Sequence, residues 1–157
     1  MGFAINGNSM RAVDSADDCI AGEVFHEQLP TPWPPAPELA DAQAAQSAAI
    51  DQAYAAAVTA DISFTTAAGV TAMFQADADS QSVLSVSLQG YERAGSVPDG
   101  FFWKSANNDK VPFTLADLGA LDKAMLDRGW VAFQKKTTLK AAIAAATTVA
   151  AVQAITW

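Results

Sequence analysis

Five prolines fall within the eight residues Pro30-Thr-Pro-Trp-Pro-Pro-Ala-Pro37, and neither a helix nor a central strand can run through such a stretch. Each proline fixes φ and removes a backbone donor, so the segment reads as an extended, stiff polyproline spacer. It divides the chain into a short piece, 1–29, a Pro-rich linker, 30–37, and a longer piece, 38–157. A proline-rich ligand for an SH3-like groove is the alternative reading. Its place between two patterned pieces favours the spacer.

The short piece is patterned for strands. Phe3-Ala-Ile5 and Met10-Arg-Ala-Val13 flank Asn6-Gly7-Asn8-Ser9, and Asn-Gly suits the positive φ angles of a tight hairpin. Glu23-Val-Phe-His-Glu27 alternates as a third strand. Three strands this short bury little, so the unit is expected to lean on a partner. His26, the one histidine, has no second ligand near it in sequence and reads as a surface or packing residue. Cys19, the one cysteine, excludes an internal disulfide and suits a reducing cytoplasm; beside Asp17 and Asp18 it reads as a small, partly buried residue.

The longer piece mixes both periods. Glu38 to Ala60 follows Pro37 without Gly or Pro and predicts a helix, with Leu39, Ile50, Tyr54 and Val58 roughly on one stripe. That thin face suits a helix lying on its own domain better than a small-residue seam in an oligomer. Ile62–Thr66 and Val70–Gln75 flank Ala67-Ala-Gly69 as a hairpin, with Ile62, Phe64, Val70 and Phe74 inward. Asp79-Ser80 is read as the cap of a helix carrying Leu84, Leu88 and Tyr91 and ending at Gly95. Phe101–Lys104 and Val111–Phe113 form a second hairpin, with Pro112 requiring an edge position. Thr114 followed by Asp117 is a capping pair opening a helix with Leu115, Leu118, Leu121 and Met125 on one face. Gly129 is expected to interrupt it. Trp130 and Phe133 then continue an apolar stripe to Leu139 and Ile143, opposite Lys135, Lys136 and Lys140, before a last turn capped at Thr147-Thr148. The fold class is α+β: a small N-terminal β unit, a Pro-rich linker, then a helix, two short β-hairpins and C-terminal helices.

Charge narrows the functions. Seventeen acidic against nine basic residues give a net charge of −8, which repels phosphate backbones and anionic lipid, so neither nucleic acid nor a membrane is an expected partner. No signal peptide is legible, and Ala141–Trp157 is too short and too rich in Thr and Gln to span a bilayer. Asp77, Asp79 and Ser80, and Asn107 to Asp109, lack the ligand run and distal glutamate of a calcium loop. A carboxylate pair such as Asp109 and Asp117 is not marked as lying in a cleft, so a glycosidase reading has little behind it. The expectation is no enzyme, no cofactor and no metal. Partner contacts are expected from hydrophobic, partly exposed residues: Phe3, Ile5, Val24 and Phe25 on the strands, and Trp33 on the linker. The alternative is that Phe3 and Phe25 pack on each other.

Across Asp61-Ile-Ser-Phe-Thr-Thr-Ala-Ala-Gly-Val, Phe74-Gln-Ala-Asp77, Gly100-Phe-Phe-Trp, Asn108-Asp109, Val111-Pro-Phe-Thr-Leu-Ala-Asp-Leu118, Gly129-Trp-Val-Ala-Phe-Gln134 and Lys140-Ala-Ala-Ile onward through Thr147-Thr-Val-Ala-Ala-Val to Trp157, the chain resembles a domain family of unassigned function. That family recurs among tail and tail-fibre genes of tailed bacteriophages and their prophages. The opening, Gly2-Phe-Ala-Ile-Asn-Gly with Arg11-Ala-Val and Glu23-Val-Phe, is similar in style to small phage tail-fibre assembly and attachment proteins. The resemblance carries no catalytic residues. It implies a non-enzymatic part of a virion tail, made in the host bacterial cytoplasm, whose partners are other tail, baseplate or fibre proteins or copies of itself. Its alternatives are a tail-fibre assembly chaperone and, more distantly, a hydrolase of host-surface polymer.

Overall fold

The structure, a computed structural model, describes residues 1–157 apart from Pro32, Pro35 and Ala36. It is α+β, and it divides into two compact units, Met1–Ala42 and Gln43–Trp157.

In the first unit, β1 (Gly2–Asn6) is the centre of an antiparallel sheet ordered β2-β1-β3, with β2 at Ser9–Val13 and β3 at Val24–His26. Asn6 pairs with Ser9, so the turn is Gly7-Asn8. Gly7 takes the positive φ of 58°, rather than the Asn residues around it, because a glycine at the first turn position meets no Cβ clash. Gly2 is dictated by packing: a Cβ there would lie 2.6 Å from the His26 carbonyl oxygen and 2.7 Å from the Phe25 ring. The connection from β2 to β3 is tied by polar groups. The Arg11 guanidinium donates to both Glu23 carboxylate oxygens, at 3.0 and 2.7 Å, and to the Asp18 carbonyl at 2.6 Å. Within the Pro-rich linker, Thr31, Trp33 and Pro34 lie in bends, with the Trp33–Pro34 bond cis. The extended spacer expected across 30–37 is not what these residues form, since a bend breaks the direction an extended chain would keep; its Pro32, Pro35 and Ala36 lie outside the described residues.

The second unit is built on one aromatic core. After α1 (Leu39–Thr59), the hairpin of β4 (Ile62–Thr65) and β5 (Thr71–Phe74) pairs Ile62 with Phe74 and Phe64 with Ala72. That register sends Ile62, Phe64, Ala72 and Phe74 to one face. Val70 does not join them: it precedes β5 and is 41% exposed, so the inward position two before Phe74 belongs to Ala72. The second hairpin, β6 (Phe102–Lys104) with β7 (Lys110–Pro112), turns Trp103 and Val111 inward. Among the described residues, Pro112 sits on a strand with one strand partner. Phe64, Phe74 and Phe113 meet with ring centroids 5.2 to 6.2 Å apart, the tilted and edge-on spacings that aromatic quadrupoles favour.

Helix α2 (Ala78–Ala94) covers this core with Leu84, Leu88 and Tyr91 and stops at Gly95, φ 82°. Its cap is Asp77, not Asp79 or Ser80: the Asp77 carboxylate accepts from the Ser80 amide at 3.0 Å and its hydroxyl at 2.7 Å. Helix α3 runs unbroken from Leu115 to Ala145. Gly129 does not end it, since an interior glycine costs only about 1 kcal/mol. Continuing the helix buries Ala132 and Ile143, and each large aliphatic side chain buried contributes roughly 1.5–3 kcal/mol. Helix α4 (Val149–Gln153) is capped by Thr148. Helix α1 is held to the C-terminal half of α3 by Gln43, which donates to the Ile143 and Ala146 carbonyls at 3.1 Å, and by Asp51, which pairs with Lys136 and Lys140 at 2.8 and 2.7 Å. Those two lysines hold the Asp51 carboxyl below its ordinary range.

Candidate functional site

Each unit presents apolar groups to solvent. On the N-terminal sheet, strand alternation places Phe3, Ile5, Met10 and Val24 on one face and Ala4, Arg11, Val13 and Phe25 on the other. Phe3 and Phe25 therefore point to opposite sides and do not pack on each other. Of the five residues expected at a partner contact, three share a face, and their exposure differs. Val24 is 61% exposed, Phe3 is half-buried, and Ile5, at 9%, is buried rather than partly exposed. Phe25 is half-buried on the opposite face, and Trp33 is half-buried in the linker. The sheet ends on β2 at one edge and β3 at the other, each with one strand partner among the described residues.

The second surface is a groove of about 770 Å³ in the larger unit. Tyr54 and Val58 of α1 and Ser82 and Ser85 of α2 form its walls, and α3 contributes Asp122, Leu126, Gly129, Trp130 and Phe133. Leu126, Trp130 and Phe133 stand 67%, 59% and 47% exposed, and the two aromatic rings stack at 5.9 Å and 21°. A stacked Trp–Phe pair on a rigid helix presents a large apolar area with little entropy left to lose, the usual make-up of an interface anchor.

Sequence reasoning assigned Trp130 and Phe133 to the stripe of Leu139 and Ile143, and the structure separates them. The buried apolar positions of α3 are Leu118, Leu121, Met125, Ala132 and Ile143. Leu126, Trp130 and Phe133 follow each other at i, i+4 and i+7 on a neighbouring stripe. Two apolar stripes on one helix are a signal present in the sequence, and the second is the groove.

Two of the carboxylates that invite a catalytic or metal reading, Asp77 and Asp117, have structural partners. Asp117 is buried; its Oδ1 accepts from the Ala67 amide at 2.7 Å, and its Oδ2 accepts from the Thr114 amide and hydroxyl at 2.9 and 2.7 Å. Burial alone would raise its pKa, but the donors at Ala67 and Thr114 outweigh it and hold the group below the ordinary carboxylate range. The Ser80 hydroxyl and amide hold Asp77 low in the same way. Asn108, at φ 65°, and Asp109 close the β6–β7 turn, where the Ser105 amide donates to the Asp109 carbonyl and the Asp109 amide to the Ser105 hydroxyl. Arg128 donates to the Val58 and Ala60 carbonyls at 2.8 and 2.6 Å, which gives the C-terminal end of α1 a cationic cap. No helix among the described residues is long and apolar enough to cross a membrane.

Among protein families, the model described as Domain of unknown function (DUF4376) matches residues 41–156. No curated protein and no solved structure matches the chain.

Proposed function

The chain belongs to the DUF4376 family through residues 41–156, and from that premise we propose that it is a non-enzymatic structural component of a bacteriophage tail, at the tail tip, baseplate or fibre. The N-terminal segment attaches it to other tail or fibre proteins, and the family domain is the part displayed. The observation that carries this reading is the division into two units, the smaller of which presents Phe3 and the exposed Val24 on one sheet face. A sheet this small that keeps apolar groups in water gains by docking. The tail assignment itself rests on the sequence resemblance to tail and tail-fibre genes.

Mass spectrometry and cryo-EM of purified particles test it together. The expected result is stoichiometric copies of the chain in the tail, with residues 1–37 seated on a neighbouring protein. Val24→Asp should reduce incorporation while leaving the larger unit folded. Particles that require the gene for infectivity yet contain none of the chain would overturn the structural role in favour of a fibre-assembly chaperone.

A further inference from the structure

We propose that the groove on α3 is the contact between two copies of this chain, with the two α3 helices antiparallel about a two-fold axis passing between Gly129 and Trp130. The open face of α3 carries Asp122, Leu126, Gly129, Trp130, Phe133 and, one turn further, the exposed Thr137. Inverting the helix about the point between residues 129 and 130 maps this set onto itself. Asp122 exchanges with Thr137, Leu126 with Phe133, and Gly129 with Trp130. An isologous interface requires a patch that is complementary to its own image, and the two central exchanged pairs are complementary: leucine meets phenylalanine, and an indole meets the bare backbone of a glycine. The outer Thr137 hydroxyl already donates to the Phe133 carbonyl at 2.9 Å, so its exchange with Asp122 is polar but adds no hydrogen bond.

Gly129 supplies the room for that last pair. A Cβ built on it has no heavy atom within 4 Å, so the space above it is open and an incoming Trp130 ring can occupy it. The flanking charges do not oppose the arrangement. Lys123 and Lys136 approach each other under the same symmetry, but Lys123 is paired with Asp127 and Lys136 with Asp51. Leu126, Trp130 and Phe133 together expose roughly 350 Å² per copy, close to half of the ~800 Å² per partner of a standard interface. Tyr54, Val58 and the α2 serines that wall the groove add to it, and an interface below the standard size belongs with the weaker, transient class.

Sedimentation of the full chain from about 1 to 200 µM tests the proposal across the affinities that an interface of this size reaches. The expected mass rises from 16.3 kDa toward twice that value. Trp130→Ala should weaken association about 30-fold, the effect of removing a central aromatic anchor. Gly129→Leu should abolish it while leaving thermal unfolding unchanged or raised, because the change fills the hole and also favours the helix. In a Cys19→Ser background, mixing Leu126→Cys chains with Phe133→Cys chains should give a mixed disulfide in preference to either like pair. A chain that stays monomeric throughout overturns the proposal. So does a dimer that survives Gly129→Leu, or cross-linking that favours the 126–126 pair. None of these readouts depends on the tail assignment, which particle composition decides separately.

Discussion

Asp117→Ala is expected to be the most damaging single change to a polar side chain in the larger unit. The carboxylate accepts three hydrogen bonds, one from Ala67 in the β4–β5 turn and two from Thr114 at the start of α3. It therefore caps the longest helix and pins a hairpin to it. Hydrogen bonds to a charged group contribute about 1.5–3 kcal/mol each. Ala67 and Thr114 are exposed, so water replaces part of what they lose, and removing the charge relieves its desolvation. A net loss of about 2–3 kcal/mol remains, or roughly 5–10 °C in Tm for a chain of this size. Asp117→Asn keeps an acceptor for one donor and should lose about half as much. The pH dependence follows from the direction of the shift. The folded carboxyl titrates below its unfolded value, so its contribution is complete above an unfolded pKa of about 3.9 and disappears as pH falls through the folded pKa. Urea unfolding followed by far-UV circular dichroism at pH 7 and in the acid range measures both effects. Asp117→Ala within about 0.5 kcal/mol of the parent at pH 7, the range of ordinary surface changes, would refute the reasoning, as would an acid sensitivity equal in parent and variant.

Phe74, with no solvent exposure and both Phe64 and Phe113 against it, should cost about 3–5 kcal/mol as Phe74→Ala, with loss of near-UV dichroism. Gly2→Ala places a Cβ on the His26 carbonyl and the Phe25 ring, so β3 should detach; hydrogen exchange at residues 24–26 should speed up while the larger unit keeps its protection. Arg128→Met should cost about 1–2 kcal/mol for the two carbonyl bonds it removes, with fraying of residues 56–60 seen first by hydrogen exchange.

The parts of the fold that were legible in the sequence are those fixed by residues close together in the chain. Thr114 and Asp117 lie three apart, and both halves of their capping box form as the spacing implies. The two hairpins, the stop at Gly95 and the Thr148 cap are local in the same sense. What was misread depends on distant neighbours. Gly129 reads as a stop until Ala132 and Ile143 are known to be buried on the same helix. Trp130 and Phe133 read as one stripe with Leu139 and Ile143, and only the places where α1 and α2 come to lie decide that these two stay in water. Val70 and Ile5 show the same limit in strands: alternation assigns a face but not how far along it the cover reaches, so Val70, just ahead of β5, is 41% exposed while Ile5 is buried beside the exposed Val24. The N-cap at Asp77 was missed by two residues because Asp77, Asp79 and Ser80 all carry capping side chains, and only one of them meets the free amide.

The groove lies where α1, α2 and α3 meet. Helix α3 has 31 residues, against 21 in α1 and 17 in α2. The aromatic core occupies its first half through Leu118, Leu121 and Met125, and α1 is fastened to its second half through Lys136 and Lys140. The three helices are tied at one atom between these regions: the Val58 carbonyl oxygen accepts from Arg128 of α3 at 2.8 Å and from Gln81 of α2 at 3.0 Å. Gln81 also donates to the Ala76 carbonyl at 2.6 Å, just ahead of α2. The end of α1 and the start of α2 are thus fixed at the same point beside α3, and Tyr54, Val58, Ser82 and Ser85 line the groove while Leu126, Trp130 and Phe133 stay exposed. The apolar groups left there are held in place by the same hydrogen bonds that close the fold around them, so the surface is presented already shaped and loses little freedom when another chain covers it.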